Sequence, residues 1–304
     1  MKLSIIICTY NRDKYIYNVL KSIAGNDFSP EKFEIILVNN NSTDNTEVEC
    51  KRFQSDFPQT EFHYFIEKNQ GLSYARNKGI KEATGDILIY VDDDATVNKE
   101  YLQTYYSFFE QQPSAMAAGG PVIPVYETQE PKWISHFTLR LITGYLYKGN
   151  SRSEFKGNEY PGGGNAAYRR SVFEKTGFFN VDLGRKGNSL MGAEEKDIFD
   201  KMRSFGMKYY YLPEAILYHI IPETKLTKEY FDRLTCSIGK SERMRTKAVS
   251  DWKYAKRIIS EGIKWVASIF LCIGYTLMLA PQKGWKLIRF RRNVTKGLLK
   301  NSDA

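Results

Sequence analysis

Cysteine is scarce in this sequence, with four residues among 304, at positions 8, 50, 236 and 272. Their spacing matches neither a metal site nor a disulfide framework, which excludes a disulfide-stapled secreted domain and fits a reducing compartment. No apolar leader precedes the first predicted strand, Leu3–Thr9. We therefore expect no signal peptide ahead of the fold, and a cytoplasmic location.

Excess positive charge is also missing from most of the chain. The net charge is +9, but eleven Lys and Arg residues and only three acidic residues lie from position 248 onward. The tail therefore carries +8 and everything before it carries +1. This distribution excludes a nucleic-acid-binding body and predicts a tail that meets an anionic surface such as a membrane.

The most informative stretch is the apolar run Ile87–Val91, which is followed directly by Asp92, Asp93 and Asp94. The run is typical of a strand buried on both faces. One aspartate would suffice to end a strand and cap a helix, whereas three adjacent carboxylates repel one another unless a cation neutralises them. Hard divalent cations prefer such oxygens and share them with phosphates. The stretch therefore predicts a metal–phosphate site.

Strands and helices alternate at short spacing through the first hundred residues. The predicted strands cover Leu3–Thr9, Phe33–Asn39, 61–66 and Ile87–Val91, with helices near 13–24, 45–55 and 72–83 between them. This alternation predicts a parallel, doubly wound α/β sheet. The strands end in polar residues that would converge on one crevice, a typical nucleotide site. Those residues are Thr9, Asn11, Asn39 and the three aspartates.

Less regular elements follow. We predict, in chain order, a helix over 101–111, a strand over 116–124, a helix over 135–147, a helix over 171–176, a helix over 193–205 and strands over 208–212 and 215–219.

Three features in this part have both an ordinary and a functional explanation. Gly162, Gly163 and Gly164 form either a tight turn or a close approach of backbone to ligand. An acidic pair, Glu194 and Glu195, either complements a helix dipole or supplies a catalytic base. His219 ends a strand, where it serves either as a structural hydrogen-bonding group or as a metal ligand.

Several motifs, in the correct order, resemble those of family 2 glycosyltransferases with the GT-A fold. They are residues 4–12 (SIIICTYNR), 38–46 (VNNNSTDNT), 69–79 (NQGLSYARNKG) and the triple aspartate. The resemblance implies a Rossmann-like, mostly parallel sheet with helices on both faces. It implies that Asp92 and Asp94, with Asp93 beside them, hold the diphosphate of a nucleotide sugar through Mg²⁺ or Mn²⁺.

The resemblance also implies roles for other residues in donor binding and catalysis. Thr9, Asn11, Asn39 and Arg76 would line the nucleoside pocket, where the family usually has Asp in place of Asn39; a UDP-sugar is favoured. Gly164 and Asn165 would lie beneath the donor sugar and acceptor. Glu195, often Asp in the family, would be the base, with Glu194 as second choice. His219 would complete the metal site with Asp92 and Asp94.

The resemblance ends near residue 222, and a separate tail follows. We predict a GT-A domain over 1–222, with a nucleotide-sugar half over 1–98 and an acceptor and catalytic half over 99–222, and a helical, basic, membrane-associating region over 223–304. Residues 265–280 are apolar but slightly short for a span, and Pro281 allows a turn. The helix beyond is amphipathic and basic. A core helix, a dimer contact or a true span remain alternatives to a monotopic anchor.

These features together predict an inverting, metal-dependent glycosyltransferase on the cytoplasmic side of the inner membrane. Its acceptor would be a lipid-linked glycan, polyprenyl-linked by inference from the predicted membrane location, in the assembly of cell-surface polysaccharide. A sugar nucleotidyltransferase is one alternative, but it would need a loop rich in glycine and lysine after the first strand, where this chain has TYNR. A non-catalytic membrane scaffold is the other.

Overall fold

Eight strands form the main sheet of the protein, in a computed structural model that describes residues 1–187, 190 and 192–300. In chain order the strands of the described residues are β1 Leu3–Thr9, β2 Phe33–Asn39, β3 Phe62–Ile66, β4 Ile87–Val91, β5 Ala95–Val97, β6 Ala115–Gly119, β7 Val122–Tyr126, β8 Ser153–Glu154, β9 Asn165–Arg169, β10 Lys208–Tyr211 and β11 Leu217–Ile221. The strands of the main sheet lie in the order β3-β2-β1-β4-β9-β6-β10-β8. A smaller sheet has the order β5-β11-β7.

Strands β1 to β4 are parallel to one another, which confirms the doubly wound arrangement predicted for this part of the chain. Strand β9 is antiparallel to both β4 and β6. The helices are α1 Asp13–Ala24, α2 Thr46–Asp56, α3 Leu72–Glu82, α4 Tyr101–Gln111, α5 His136–Thr143, α6 Ser171–Thr176, α7 Glu194–Ser204, α8 Lys228–Lys247, α9 Asp251–Leu277 and α10 Pro281–Leu299.

The core explains this arrangement. Every residue of β2 and β4 is buried, as both faces of a central parallel strand require. One register aligns Thr9 with Asn39 at the ends of β1 and β2, and another aligns β1 with β4. The carboxyl ends of the three strands therefore lie along one edge of the sheet.

Three element predictions were wrong in detail. The single strand predicted over 116–124 is two strands, β6 and β7, in different sheets. The chain breaks at Gly120, where a Cβ would lie 1.9 Å from the carbonyl oxygen of Ala215, and at Pro121. The helix predicted over 135–147 ends at Thr143, before Gly144 with φ +71°. The strand predicted over 215–219 runs instead over Leu217–Ile221.

The described residues divide into two compact units. The first consists of Met1–Val125, Gly144–Asp182 and Glu194–Ile220, and the second of the described parts of 126–143, 183–193 and 221–304. The second unit thus includes two segments from inside the region predicted as the glycosyltransferase domain.

Helices α8, α9 and α10 dominate the second unit. Glycines let them approach closely: a Cβ on Gly239 of α8 would lie 2.1 Å from the Val294 carbonyl oxygen of α10, and one on Gly284 would lie 2.8 Å from Cα of Cys272 in α9. Helix α9 is long and apolar enough, by length and composition, to cross a membrane, and little of its most apolar stretch is buried.

Candidate active site

The predicted metal ligands come together at the carboxyl end of β4. Strand β11 pairs with β5 so that His219 lies opposite Ala95, and the backbone N–H of Ile220 donates to the Asp94 carbonyl. This pairing sets Nε2 of His219 3.1 Å from Oδ1 of Asp94. One potential ligand atom from each of Asp92, Asp94 and His219 lies within 4.8 Å of the others. Two carboxylates and one imidazole fit a divalent cation such as Mn²⁺.

Arg12 is a charged neighbour of this cluster that the sequence analysis did not single out. Its Nε lies 3.5 Å from Oδ1 of Asp93, and its Nη2 lies 3.8 Å from Oδ2 of Asp94. Burial raises the pKa of Asp93 to about 6, although the Arg12 guanidinium acts in the opposite direction. Arg12 follows Asn11 shortly after the end of β1, and this position in the sequence could have indicated that Arg12 lies near the site.

Two consecutive glycines make room for two carboxylates. A Cβ on Gly164 would lie 2.0 Å from Oδ2 of Asp92, and a Cβ on Gly163 would lie 1.8 Å from Oε1 of Glu195. Real nonbonded contacts are much longer, so neither position accepts a side chain unless the carboxylate moves. The backbone at 163–164 therefore brings a predicted metal ligand and a predicted base to adjacent residues.

The acidic pair of α7 shares one buried cation. Nη1 of Arg76 lies 2.8 Å from Oε1 of Glu194 and 2.8 Å from Oε1 of Glu195. The Glu194 side chain is 3% exposed, whereas the Glu195 side chain is 20% exposed. Burial tends to lower the pKa of Arg76, but the two glutamates and Asp92 raise it well above its usual range. The guanidinium is therefore a permanent cation.

Three of the four predicted nucleoside residues, all except Arg76, lie at the ends of β1 and β2 or in the loops that follow them. Thr9 and Asn39 are buried at the strand ends. Oδ1 of Asn39 accepts from the backbone N–H of Ser42, and its Nδ2 donates to the Tyr64 hydroxyl. Asn11 has φ +54°, and its Oδ1 accepts from the backbone N–H of residue 43. These bonds hold the two loops in a fixed relation.

The side chain of Asn165 makes all its hydrogen bonds inside the fold. It is fully buried, and its Oδ1 accepts from the hydroxyls of Tyr101 and Tyr105, both at 2.7 Å. Its Nδ2 donates to the carbonyls of Pro121 and Ala215. An amide makes about four hydrogen bonds in total, so this one has none left for a ligand. The side-chain amide therefore fixes β9, and the place of Asn165 beneath the donor sugar stays a prediction.

A small pocket borders the site between α3 and β4. Burial raises the pKa of the Cys8 thiol in its wall to about 12, so the thiol stays neutral. Cys8 and Leu72 were not among the predicted site residues, although each lies inside a motif that carries the family resemblance. The lining residues are Cys8, Leu72, Arg76, Tyr90, Val91, Asp92 and Gly163.

Comparison with known proteins addresses the fold and the family. The chain is similar to the solved structure of a mannosyltransferase from Pyrobaculum calidifontis in complex with GDP-Man and Mn²⁺. The two superpose with a TM-score of 0.66 at 18% sequence identity, covering 99% of this chain and 88% of that one. S. aureus TarS 1-349 in complex with UDP-GlcNAc gives a TM-score of 0.52 at 19% identity, covering 79% and 66%. These likenesses confirm the GT-A fold.

Sequence similarity identifies the family. A glucosyl-dolichyl phosphate glucuronosyltransferase from Haloferax volcanii is 30% identical over 203 residues, which is 65% of this chain and 62% of that protein. The chain thus spans less than two thirds of this relative. The model of the family described as glycosyl transferase family 2 matches residues 4–177, more than half of the chain. The chain belongs to glycosyl transferase family 2, as its motifs predicted.

Proposed function

We propose that the protein is an inverting, metal-dependent glycosyltransferase. It would move a sugar from a nucleotide-diphosphate sugar to a hydroxyl of a lipid-linked glycan. The observation that carries the proposal is the placement of Asp92 against Gly164 and of Glu195 against Gly163. A proposed cation ligand and the proposed base then lie against two adjacent glycines of one backbone segment. A single displacement at one carbon requires the two groups to be this close in space.

Asp92, Asp94 and His219 would hold the cation. When bound, Mn²⁺ or Mg²⁺ would offset the negative charge of the departing diphosphate. An imidazole among the ligands favours Mn²⁺ over Mg²⁺. Arg12, beside Asp93 and Asp94, supplies positive charge at the same edge of the sheet.

Glu195 is the better candidate for the base, and burial supports the choice. The Glu194 side chain is almost inaccessible, whereas Glu195 is partly exposed and lies against Gly163. A carboxylate oxygen of Glu195 would accept the proton of the acceptor hydroxyl. At the same time the hydroxyl oxygen of the acceptor would form a bond to the anomeric carbon of the donor sugar. The bond from this carbon to the diphosphate breaks at the same time, and the nucleoside diphosphate leaves. A single displacement of this kind inverts the anomeric centre.

The donor is proposed to be a UDP-sugar. Oδ1 of Asn39, at the end of β2, is an acceptor of the kind that pairs with a uracil ring N–H, although it already accepts from Ser42. The relatives use different bases, since one solved structure carries GDP-Man and another UDP-GlcNAc. The lipid-linked acceptor is supported by the name of the Haloferax relative, a glucosyl-dolichyl phosphate glucuronosyltransferase.

We propose that the tail, from position 248 onward, binds the cytoplasmic surface of an anionic membrane. Along α9 a row of large apolar side chains is exposed at alternating intervals of four and three residues, which forms one helical face. These residues are Ile259, Ile263, Val266, Phe270, Ile273 and Leu277. Met278 and Leu279 in the following turn are 77% and 91% exposed. A patch of this size is unusual on a soluble surface.

Charge favours a bilayer over a second copy of the chain as the partner of this face. The tail carries +8, so two tails would repel each other, whereas acidic lipid headgroups would attract it. Exposed basic residues lie on α9 and α10, among them Lys256 and Lys264 of α9 and Arg292 of α10.

A buried ionic cluster argues against a full span. Glu261 of α9 is 2% exposed and pairs with Arg257 and Arg291 at 2.8 and 2.9 Å. Such charges are costly at the centre of a bilayer. The apolar part beyond it, about 15 residues, extends roughly 22 Å at 1.5 Å per residue, short of a hydrocarbon core of about 30 Å. Helix α10 then returns beside α9, since Trp265 donates to Oγ1 of Thr295. We propose a hairpin dipped into one leaflet.

The test is turnover of a panel of nucleotide sugars by the full chain with Mn²⁺ and membrane lipid, read as release of nucleoside diphosphate. We expect one donor to be used, with loss of release in Asp94→Ala and in Glu195→Gln. If no donor is used or bound under these conditions, the transferase proposal fails and a non-catalytic membrane scaffold becomes the better account. Release of pyrophosphate from a sugar phosphate and a nucleoside triphosphate would instead indicate a nucleotidyltransferase.

A further inference from the structure

Arg76 has surroundings that the nucleoside-pocket role does not explain. It lies in α3, 3% exposed, and its guanidinium contacts two carboxylates of the first turn of α7, more than a hundred residues away in sequence. A residue that binds a departing nucleotide has to be reachable from solvent. Arg76 borders the small pocket, and its Nη1 lies 2.8 Å from Oε1 of both Glu194 and Glu195.

Aromatic rings fix the guanidinium from two sides. Its central carbon lies 5.6 Å from the centre of the Tyr90 ring and 5.3 Å from that of Phe179. The next residue in α3, Asn77, bonds both backbone groups of Phe179, at 2.8 and 2.9 Å. The Tyr90 hydroxyl donates to the Arg76 carbonyl at 3.1 Å. The side chain therefore has little freedom to move toward a substrate.

The charges around Arg76 suggest what it does. Glu194 and Glu195 are adjacent in one helical turn and would repel each other without a cation. A buried carboxylate also needs a partner, and Arg76 provides it for Glu194. One guanidinium between two carboxylates leaves one net negative charge, and Glu195, the more exposed of the two glutamates, lies against Gly163 of the pocket wall.

We propose that Arg76 is a positioning residue, which together with Glu194 forms a fixed buried ion pair that orients the Glu195 carboxylate over Gly163. Arg76 would act through Glu195 and would not contact the nucleotide. This inference rests on the proposed function and changes the role that family resemblance implies for Arg76. Glu194 becomes part of the support for the base and is no longer an alternative base.

The test separates turnover from donor binding in the full chain, with Mn²⁺ and the donor found in the panel. We expect Arg76→Met to lower kcat roughly 10²-fold, because a displaced base costs about that much. The KM for the donor and the Kd for the matching nucleoside diphosphate should stay within about twofold of the parent values. Arg76→Lys keeps the charge without the planar fork and should recover part of kcat. A rise in donor KM or nucleotide Kd with unchanged kcat would overturn the proposal.

A double-mutant cycle gives the second readout. If Arg76 acts through Glu195, adding Arg76→Met to Glu195→Gln should cause little further loss of kcat. Equal losses in the two backgrounds would contradict the positioning role. A parent chain that turns over no donor would instead remove the proposed function, and the positioning role with it.

Stability is controlled by removing the buried pair as a unit. Arg76→Met alone leaves Glu194 as an unpaired buried charge, so that variant alone is not sufficient. Arg76→Met combined with Glu194→Gln leaves no such charge, and a thermal melt checks its fold. The proposal expects this folded variant to lose kcat and keep nucleotide affinity, whereas full kcat in it would refute the proposal.

Discussion

Alanine at position 163 should impair catalysis without impairing the fold. The added Cβ would lie 1.8 Å from Oε1, 2.4 Å from Cδ and 2.6 Å from Cγ of Glu195. An ordinary contact needs about 3.5 Å, so the carboxylate has to move by roughly 1.5 Å. A displacement of about 1 Å at a reacting group costs on the order of 10²-fold in rate. We therefore expect Gly163→Ala to lower kcat by about that factor.

The neighbouring glycines supply matched comparisons. A Cβ on Gly162 would meet nothing closer than Cγ2 of Val122 at 3.7 Å, so Gly162→Ala should leave kcat unchanged and stabilise the fold by up to about 1 kcal/mol. A Cβ on Gly164 would lie 2.0 Å from Oδ2 of Asp92, so Gly164→Ala should raise the Mn²⁺ concentration for half-maximal turnover. We expect this Mn²⁺ concentration to rise roughly tenfold or more, as it does when a group that orients a metal ligand is removed.

The assay is steady-state turnover of the three variants as a function of Mn²⁺, with thermal melts alongside. None of the three glycines has a positive φ, so backbone strain cannot explain a loss. The reasoning is refuted if Gly163→Ala keeps full kcat, or if Gly162→Ala is as impaired as Gly163→Ala. It is also refuted if Gly164→Ala has the same Mn²⁺ dependence as the parent.

Three further predictions concern other parts of the molecule. His219→Ala should weaken Mn²⁺ binding roughly tenfold or more, because it removes one of the three proposed ligands, and an unchanged Mn²⁺ titration of turnover would contradict the ligand role. Asn165→Leu should lower the free energy of unfolding in urea by about 2–5 kcal/mol, because it removes four buried hydrogen bonds, two from tyrosine hydroxyls and two to carbonyls. A stable variant with a raised donor KM would instead support a role in donor binding. Phe270→Asp, but not Val48→Asp at a similarly exposed site on α2, should reduce cosedimentation with vesicles that contain anionic lipid, and equal effects of the two would count against the membrane face.

The sequence was sufficient to predict which site residues lie at the ends of the parallel strands. It was insufficient to predict which residues from later in the chain lie beside them. Asp92, Asp94, Thr9 and Asn39 were predictable because parallel strands end at one edge, and residues at those ends must meet there. His219 reaches them because β11 pairs antiparallel with β5. The sequence did not predict this pairing, and only the family resemblance placed His219 with Asp92 and Asp94.

Contacts between distant segments account for the remaining differences. Nothing local marks Arg76 as the partner of residues 118 and 119 positions later, since a polar residue on a helix is equally typical of a solvated face. The resemblance to the family placed Asn165 beneath the donor sugar. Its hydrogen-bonding partners include two tyrosines of α4, about sixty residues earlier in the chain. The break at Gly120 was hidden for the same reason, because it depends on Ala215.

The claim that one displacement takes place over Gly163 and Gly164 is tested most directly by the anomeric configuration of the product. Proton NMR during turnover of an α-linked nucleotide sugar with Mn²⁺ would report the linkage as it forms. The account predicts a β-linked product, because Glu195 would deprotonate an acceptor that attacks opposite the departing diphosphate. An α-linked product would contradict both the single displacement and the assignment of Glu195 as its base.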